Sequence, residues 1–243
     1  GWIAVVGRFL VAADLLDDPF RVQWSGLNAI TTWAAGTNSS DFQDLPDQGR
    51  AYAVVEVSGD VGVIFQASGI RRMVFAPGSE FVFQIERLPA CPGTNAPYSI
   101  VVSMGSAFYL SNKGFAQIDA NGGFVPIGEE RVDRTFLGKH DSSAPAAVRD
   151  LAYDPTATGL IQGAGDPTKS VILWVYRSIL NTAETFDKGV AYHTTLKRWA
   201  PFEATGECMA PVVRPGLTME GLDAVAPGAL PITGAASNGG PNL

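Results

Sequence analysis

His140, Asp141 and Ser142 stand side by side in the stretch GKHDSSAPA. They supply the three groups of a nucleophilic triad: a hydroxyl, an imidazole to take its proton and a carboxylate to orient the imidazole. Neighbours in sequence point in different directions, however, and a triad is assembled in space. No G-x-S-x-G elbow presents a serine elsewhere. The stretch reads as a solvated loop. The second histidine, His193, alternates with Tyr192 and Thr194, so it reads as a strand side chain that packs or pairs across a hairpin. Neither histidine has a cysteine or histidine at zinc-ligand spacing.

Carboxylates cluster at Asp14/Asp17/Asp18, Asp41/Asp44/Asp47, Glu129/Glu130 and Asp150/Asp154. Asp41, Asp44 and Asp47 recur at every third residue in a stretch rich in turn formers. Loop carboxylates of this kind are calcium-type ligands, which makes them a candidate metal site. The spacing lacks the alternation of an EF-hand loop and its closing glutamate. Arg71-Arg72 and Arg131/Arg134 are the densest arginine pairs. They suit anion recognition or an ion pair between neighbouring sheets. The Asp-box turn of sugar-cleaving propellers (S-x-D-x-G-x-T-W) and the glycine-rich phosphate loops are absent. The sequence therefore names no catalytic residue and no cofactor.

The elements that carry these residues are short and turn-rich. The 243 residues include 27 glycines and 16 prolines, with 46% hydrophobic and 17% charged residues. That composition suits a sizeable core in a chain that turns often. A net charge of −7 argues against a surface built to neutralise phosphates. Cys91 and Cys208 form neither a metal motif nor a disulfide framework, and read as buried or half-buried thiols. No apolar run approaches the roughly 18 residues of a membrane span, and no signal peptide is evident. The chain begins at Gly1 without Met, which reads as a processed product or a fragment.

Alternating apolar runs predict strands at 2–13 and 21–27, with 31–49 mostly loop. Four more are predicted at 51–57, 61–66, 70–75 and 81–87, and another four at 98–103, 106–110, 115–118 and 124–127. When Gly69 is laid on Gly114, Ile64-Phe65 falls on Tyr109-Leu110, Ile70 on Phe115 and the Gly78 turn on Gly123. Gly59 falls one residue from Gly105. Gly59, Gly69, Gly105, Gly114 and Gly123 are the expected structural turns. A period of roughly 40–50 residues with four short strands per unit is the pattern of propeller blades. The rest of the chain fits the same period with strands in 148–161, 169–180 and 189–204 and loops at 162–168 and 181–188. SVILWVY is apolar throughout, as a strand buried on both faces would be. The expected fold is all-β: a β-propeller, or an arc of one, with antiparallel four-stranded blades near 1–41, 50–88, 98–136 and 148–204. Residues 205–243 form a Pro/Gly-rich C-terminal extension, flexible in part.

Several phrases occur together in order: RVQWSGLNAITTW, DFQDLPDQG, GVIFQASGIRRMVF, F-x-L-S-x-x-G-F, P-I-G-x-x-x-V-D-R and LTMEGLDAV. In this the chain resembles a family of tailed-phage virion β-propeller proteins, the tail nozzle, tail hub and packaged-DNA-stabilising proteins, over about residues 20–225. The resemblance implies a structural role in the virion, assembled in the host cytoplasm. Identical subunits would form a ring that continues the portal channel, contacts portal, adaptor or other tail proteins, and retains and passes DNA without sequence-specific binding. It implies no catalytic residues and no membrane. The family's members are longer at both ends, and PITGAASNGGPNL does not continue their pattern. An acidic chain suits the role, because like-charge walls do not hold DNA in passage. The alternatives are a carbohydrate- or receptor-binding propeller and a general interaction scaffold. For the former, Trp33 is the loop aromatic best placed for a ligand, whereas Trp24 and Trp199 lie in strand patterns.

Overall fold

The computed structural model describes residues 1–79, 81–138, 143–166, 168–210, 212–213 and 241–242. Four antiparallel sheets of four strands follow one another along the chain, and in each the strand order is the sequence order. Sheet 1 holds β1 (Trp2–Val6), β2 (Phe9–Ala13), β3 (Arg21–Trp24) and β4 (Asp41–Asp44). Sheet 2 holds β5 (Ala51–Ser58), β6 (Val61–Gln66), β7 (Ile70–Phe75) and β8 (Phe83–Leu88). Sheet 3 holds β9 (Val101–Ser103), β10 (Ser106–Ser111), β11 (Gly114–Asp119) and β12 (Phe124–Pro126). Sheet 4 holds β13 (Ile161–Asp166), β14 (Val171–Tyr176), β15 (Phe186–His193) and β16 (Arg198–Gly206). Two short helices, α1 (Asp133–Phe136) and α2 (Ala146–Arg149), lie between sheets 3 and 4. A two-stranded ribbon joins Val212–Val213 to Pro241–Asn242.

The first strands of successive sheets touch, β1 on β5, β5 on β9 and β9 on β13. Each sheet is thus a blade whose first strand lies nearest a common axis. This is the β-propeller architecture, present as an arc of four blades.

Three apolar cores fill the three gaps between blades. Phe9, Trp24, Met73 and Phe83 pack between sheets 1 and 2, with the Phe9 and Phe83 rings 5.1 Å apart, edge to face. Phe65 and Tyr109 meet between sheets 2 and 3 at 4.9 Å. Phe115, Trp174, Tyr176 and Tyr192 fill the gap between sheets 3 and 4. Trp174 is fully buried. It packs 4.7 Å from Phe115 and stacks on Trp199 at 5.7 Å. Its Nε1 donates to the Ser99 carbonyl at 2.8 Å, so the only polar group of the indole is satisfied.

The structure differs from the sequence reading in four places. The 31–49 stretch carries strand β4, which is exposed along its length; an outermost strand needs no apolar alternation. The glycine-rich IQGAGD, expected within a loop, is β13, the axial strand of sheet 4. A side chain at Gly163 would collide with Val101 and with Trp174, so glycine there permits close approach of the sheets. The 148–161 stretch forms helix and turns, apart from an isolated bridge at Tyr153. Strand β14, expected to be buried on both faces, is buried toward sheet 3, whereas on its other face Val175 is buried and Val171 and Leu173 are half-buried.

The expected turn glycines divide by cause. Gly59 (φ +42°), Gly105 (φ +69°) and Gly114 (φ +142°) occupy backbone that other residues resist. Gly69 and Gly123 do not. At Gly69 a Cβ would strike Gln48, and at Gly123 it would lie 2.6 Å from Asp119 Oδ2. Gly114 carries both constraints, because a Cβ there would meet the buried Asp133 carboxylate, which accepts the Phe115 amide at 3.0 Å.

Gly114→Val is expected to destabilise the fold by about 2–4 kcal/mol through strain and collision. Trp174→Ala is expected to cost about 3–5 kcal/mol through the cavity it leaves. Equilibrium denaturation of each variant measures both; a near-normal midpoint for Gly114→Val would contradict the β10–β11 turn.

Candidate functional site

The residues singled out for chemistry are dispersed. His140, Asp141 and Ser142 lie outside the described residues. His193 ends β15 and caps the following turn, where its Nδ1 accepts the Leu196 amide at 3.3 Å. Asp41, Asp44 and Asp47 do not converge. Asp41 and Asp44 stand an odd number of residues apart on β4 and so point to opposite faces. Asp44 accepts from Arg21 Nε at 2.7 Å, and this bond holds its carboxyl below the usual range. Asp47 pairs with Arg71. Among the described residues no group of three or more His, Cys, Asp or Glu side chains is placed to hold a metal ion.

Arg71, Arg72 and Arg131 serve the frame. Arg71 joins Asp47, in the connector from sheet 1, to Gln66 of sheet 2, donating to the latter at 2.9 Å. Arg72 pairs with Glu86, its cross-strand neighbour. Arg131 donates to the Lys197 carbonyl at 2.6 Å and so ties the connector after sheet 3 to the β15–β16 turn. Trp24 and Trp199 pack in cores. Trp33 is half-buried and donates to the Ile30 carbonyl at 2.8 Å. Cys91 is buried, and burial pushes its thiol pKa up; Cys208, contrary to expectation, is exposed.

One polar cluster escaped the sequence reading. At the end of sheet 4 where β14 finishes, Arg177 donates to Asp154 at 2.6 Å. Asp154 also accepts from the Thr156 hydroxyl and amide. Asp187 accepts the Ser178 amide and hydroxyl, both at 2.7 Å. Lys188 bridges Asp150 at 2.8 Å and Glu203 at 3.4 Å. The Thr156 hydroxyl, then its amide and Arg177, hold the Asp154 carboxyl below the usual range. These groups come from four separate segments, so no local motif signals them. Their pairing fastens the α2 connector to sheet 4.

The two outer faces of the arc differ in how far the described residues cover them. Every blade has a leading face, toward the next sheet, and a trailing face, toward the previous one. All three cores join a leading face to a trailing face. On the trailing face of sheet 1, Ile3 is 63% and Val5 53% exposed. Their cross-strand partners Ala12 and Leu10 extend the strip. At the outer edge of that face Arg21 lies 3.9 Å over the Phe42 ring and joins Asp18 and Asp44. On the leading face of sheet 4 Ala164 and Val175 are buried and Leu173, Ala191 and Phe202 half-buried, and the 208–209 segment lies against it, the Met209 amide donating to Gln162 Oε1 at 2.9 Å.

No sequence-family model matches this chain, and no curated protein matches it in sequence. Its backbone is similar to parts of solved structures at low identity. The tricorn protease matches with a TM-score of 0.48 and 10% identity over 88% of this chain and 18% of its own. Apo AztD from Citrobacter koseri matches with a TM-score of 0.39 and 13% identity over 85% of this chain and 46% of its own. The N-terminal domain of Nup159 matches with a TM-score of 0.40 and 10% identity over 88% and 67%. The chain thus spans less than half the length of the first two. No helix among the described residues is long and apolar enough to cross a membrane.

The depressed carboxyl of Asp154 sets a pH expectation. A pKa lowered by folding adds stability above the unfolded-state pKa, near 3.8, and that stability is lost as pH falls through the folded value. The melting temperature should be nearly flat from about pH 5 to 8 and fall below about pH 4. Asp154→Asn should lower the melting temperature at pH 7 and weaken its fall in acid. An unchanged acid profile in that variant would contradict the role given to Asp154.

Proposed function

We propose that this protein is a structural subunit of a tailed-phage virion, part of the tail nozzle or hub, where copies form a ring that continues the portal channel and retains and passes DNA. The observation that carries the reading is the open arc. On its first sheet the apolar Ile3 and Val5 are more than half exposed, as suits a face continued by a neighbour. The ordered phrases shared with virion propellers supply the context, and the charge of −7 suits a wall that DNA slides past. On this reading portal, adaptor or other tail proteins are partners, and no residue is catalytic.

A second reading, a glycan- or receptor-binding propeller, is favoured by one groove. The outer strands β4 and β8 diverge and leave a wedge lined by Asp41, Phe42, Phe81 and Ile85, with Phe81 66% exposed. Aromatic rings beside a carboxylate suit a sugar.

Electron microscopy of the purified chain, alone and with a portal complex, tests the first reading. Rings that dock coaxially on the portal are expected, with no turnover of glycosides or phosphoesters. Discrete glycan binding lost in Phe81→Ala, without ring formation, would favour the second.

A further inference from the structure

We propose that the cleft over sheets 2 and 3, at the end where the connectors cross, binds an oxyanion, a carboxylate or a phosphate, carried on a small apolar frame. The proposal goes beyond the virion and glycan readings and rests on neither.

The cleft has a volume of about 290 Å³ and is bounded by four segments: the connector from sheet 1, the β6–β7 turn, the connector from sheet 2 and the β10–β11 turn. Hydrogen bonds tie these segments together. The Ser68 amide and hydroxyl donate to the Gln48 carbonyl at 3.0 and 3.1 Å. Asn112 Nδ2 donates to the Ala67 carbonyl at 2.7 Å, and its backbone amide to the Gly93 carbonyl at 2.9 Å. A cleft held in this way is formed before a ligand arrives.

Its polar lining lacks partners. Gln48 lines the cleft and is only 3% exposed, yet its Oε1 has no hydrogen-bond partner among the described residues. A buried amide left unpaired is costly, and this one can turn either its oxygen or its NH2 to a ligand. Arg87 and Lys113 line the same cleft, both exposed and in no ion pair among the described residues. Arg87 stands directly across from Arg71 in the β7–β8 ladder. Asp47 neutralises Arg71, so the second guanidinium of this like-charged pair is left without a counter-ion. Elsewhere Arg21, Arg50, Arg72 and Arg177 each hold a carboxylate. Glu129 lies on the adjoining cavity that Lys113 also lines, and does not pair with it.

The lining sets the ligand class. A guanidinium, an ammonium and an amide NH2 are donors, and a guanidinium matches a carboxylate or a phosphate with two parallel bonds. Beside them Leu88 and Cys91 are buried in the wall, and with Ala90 and Pro92 they form an apolar surface that a bare ion would not use. The volume is at the small end of ligand cavities and suits one ring with its acid group.

The test is calorimetric titration of the full chain with phenyl phosphate and with benzoate. Phenol supplies the frame without the charge, and inorganic phosphate the charge without the frame. At least one of the two aryl anions should bind with a Kd of about 1 mM or tighter, and the tighter of them identifies the oxyanion. Phenol and inorganic phosphate should each bind about tenfold more weakly or not at all. Arg87→Gln and Lys113→Gln should each weaken the aryl anion about tenfold, and Gln48→Glu should abolish its binding. Arg198→Gln, which removes an exposed cation at the start of β16, should leave it unchanged. Arg87→Gln also relieves the opposition to Arg71, so its melting temperature should equal or exceed that of the wild type while binding is lost. The proposal is overturned if neither aryl anion saturates by about 10 mM, ten times the expected Kd. It is equally overturned if phenol binds as tightly, if inorganic phosphate binds as tightly (an adventitious ion only), or if Arg198→Gln weakens binding as much as Arg87→Gln.

Discussion

A twisted sheet that is apolar on both faces requires a neighbour on each face, and in this protein that requirement organises the rest. Strand β6 shows it most plainly: Val63 and Phe65 reach the core with sheet 3, while Ile64 reaches the core with sheet 1. Neither face can be left in water without exposing large aliphatic or aromatic surface, at about 25 cal/mol per Å² of apolar area. The sheets therefore stack in series, and the stacking is tightest near the axis, where the backbones come closest. That is why the axial strand β13 contains Gly163 and Gly165, both lying against Val101 of β9. Away from the axis the blades diverge, and the outer strands β4 and β8 leave a wedge between them.

Serial stacking leaves the connectors with a definite task. Each must cross from the rim of one blade to the axis of the next without leaving buried amides unpaired. Buried Gln66 donates from Nε2 to the Leu45 and Gly49 carbonyls, which locks the passage from sheet 1 to sheet 2. Thr94 does the same one blade later, its amide donating to the Gln66 carbonyl and its hydroxyl to that of Leu110. Between sheets 3 and 4 the connector is longer, α1 places the buried Phe136 in the core between them, and the paired polar groups around Arg177 fasten the rest of it to sheet 4. The polar clusters are thus placed where chain crosses between sheets, and most of the charged residues that attract attention in the sequence belong to that framework.

The repeat was legible because hairpins leave a strong local trace. Laying Gly69 on Gly114 carries β6 onto β10 residue for residue. Both strands are buried nearly throughout, so apolar runs set between turn glycines mark them. Two kinds of strand carry no such mark. Strand β4 is solvent-exposed and has no apolar period to detect; β13 is so closely packed that its period is written in glycine and alanine. The polar cluster at sheet 4 was illegible for another reason. Asp150, Asp154, Ser178, Asp187 and Glu203 meet only because the α2 connector folds back on the β14–β15 turn. The carboxylates at 41, 44 and 47 made the opposite error, since regular spacing suggested convergence and strand geometry separated them.

What distinguishes this arc from a finished propeller is the unequal treatment of its axial strands. In a closed ring all axial strands are equivalent, and each is covered on both sides. Here β5 meets that standard and β1 does not, although Ile3 and Val5 are as apolar as Val54 and Val55. Water-facing positions in strands usually carry polar side chains, because an apolar one there gains nothing and invites association. The outer half of the same face obeys that rule, with Arg21, Gln23 and Asp44 in the rows beyond Leu10 and Ala12. A face that is apolar only where an adjoining blade would press on it, and charged where that blade would diverge, has the chemistry of an internal blade interface placed at the end of the stack.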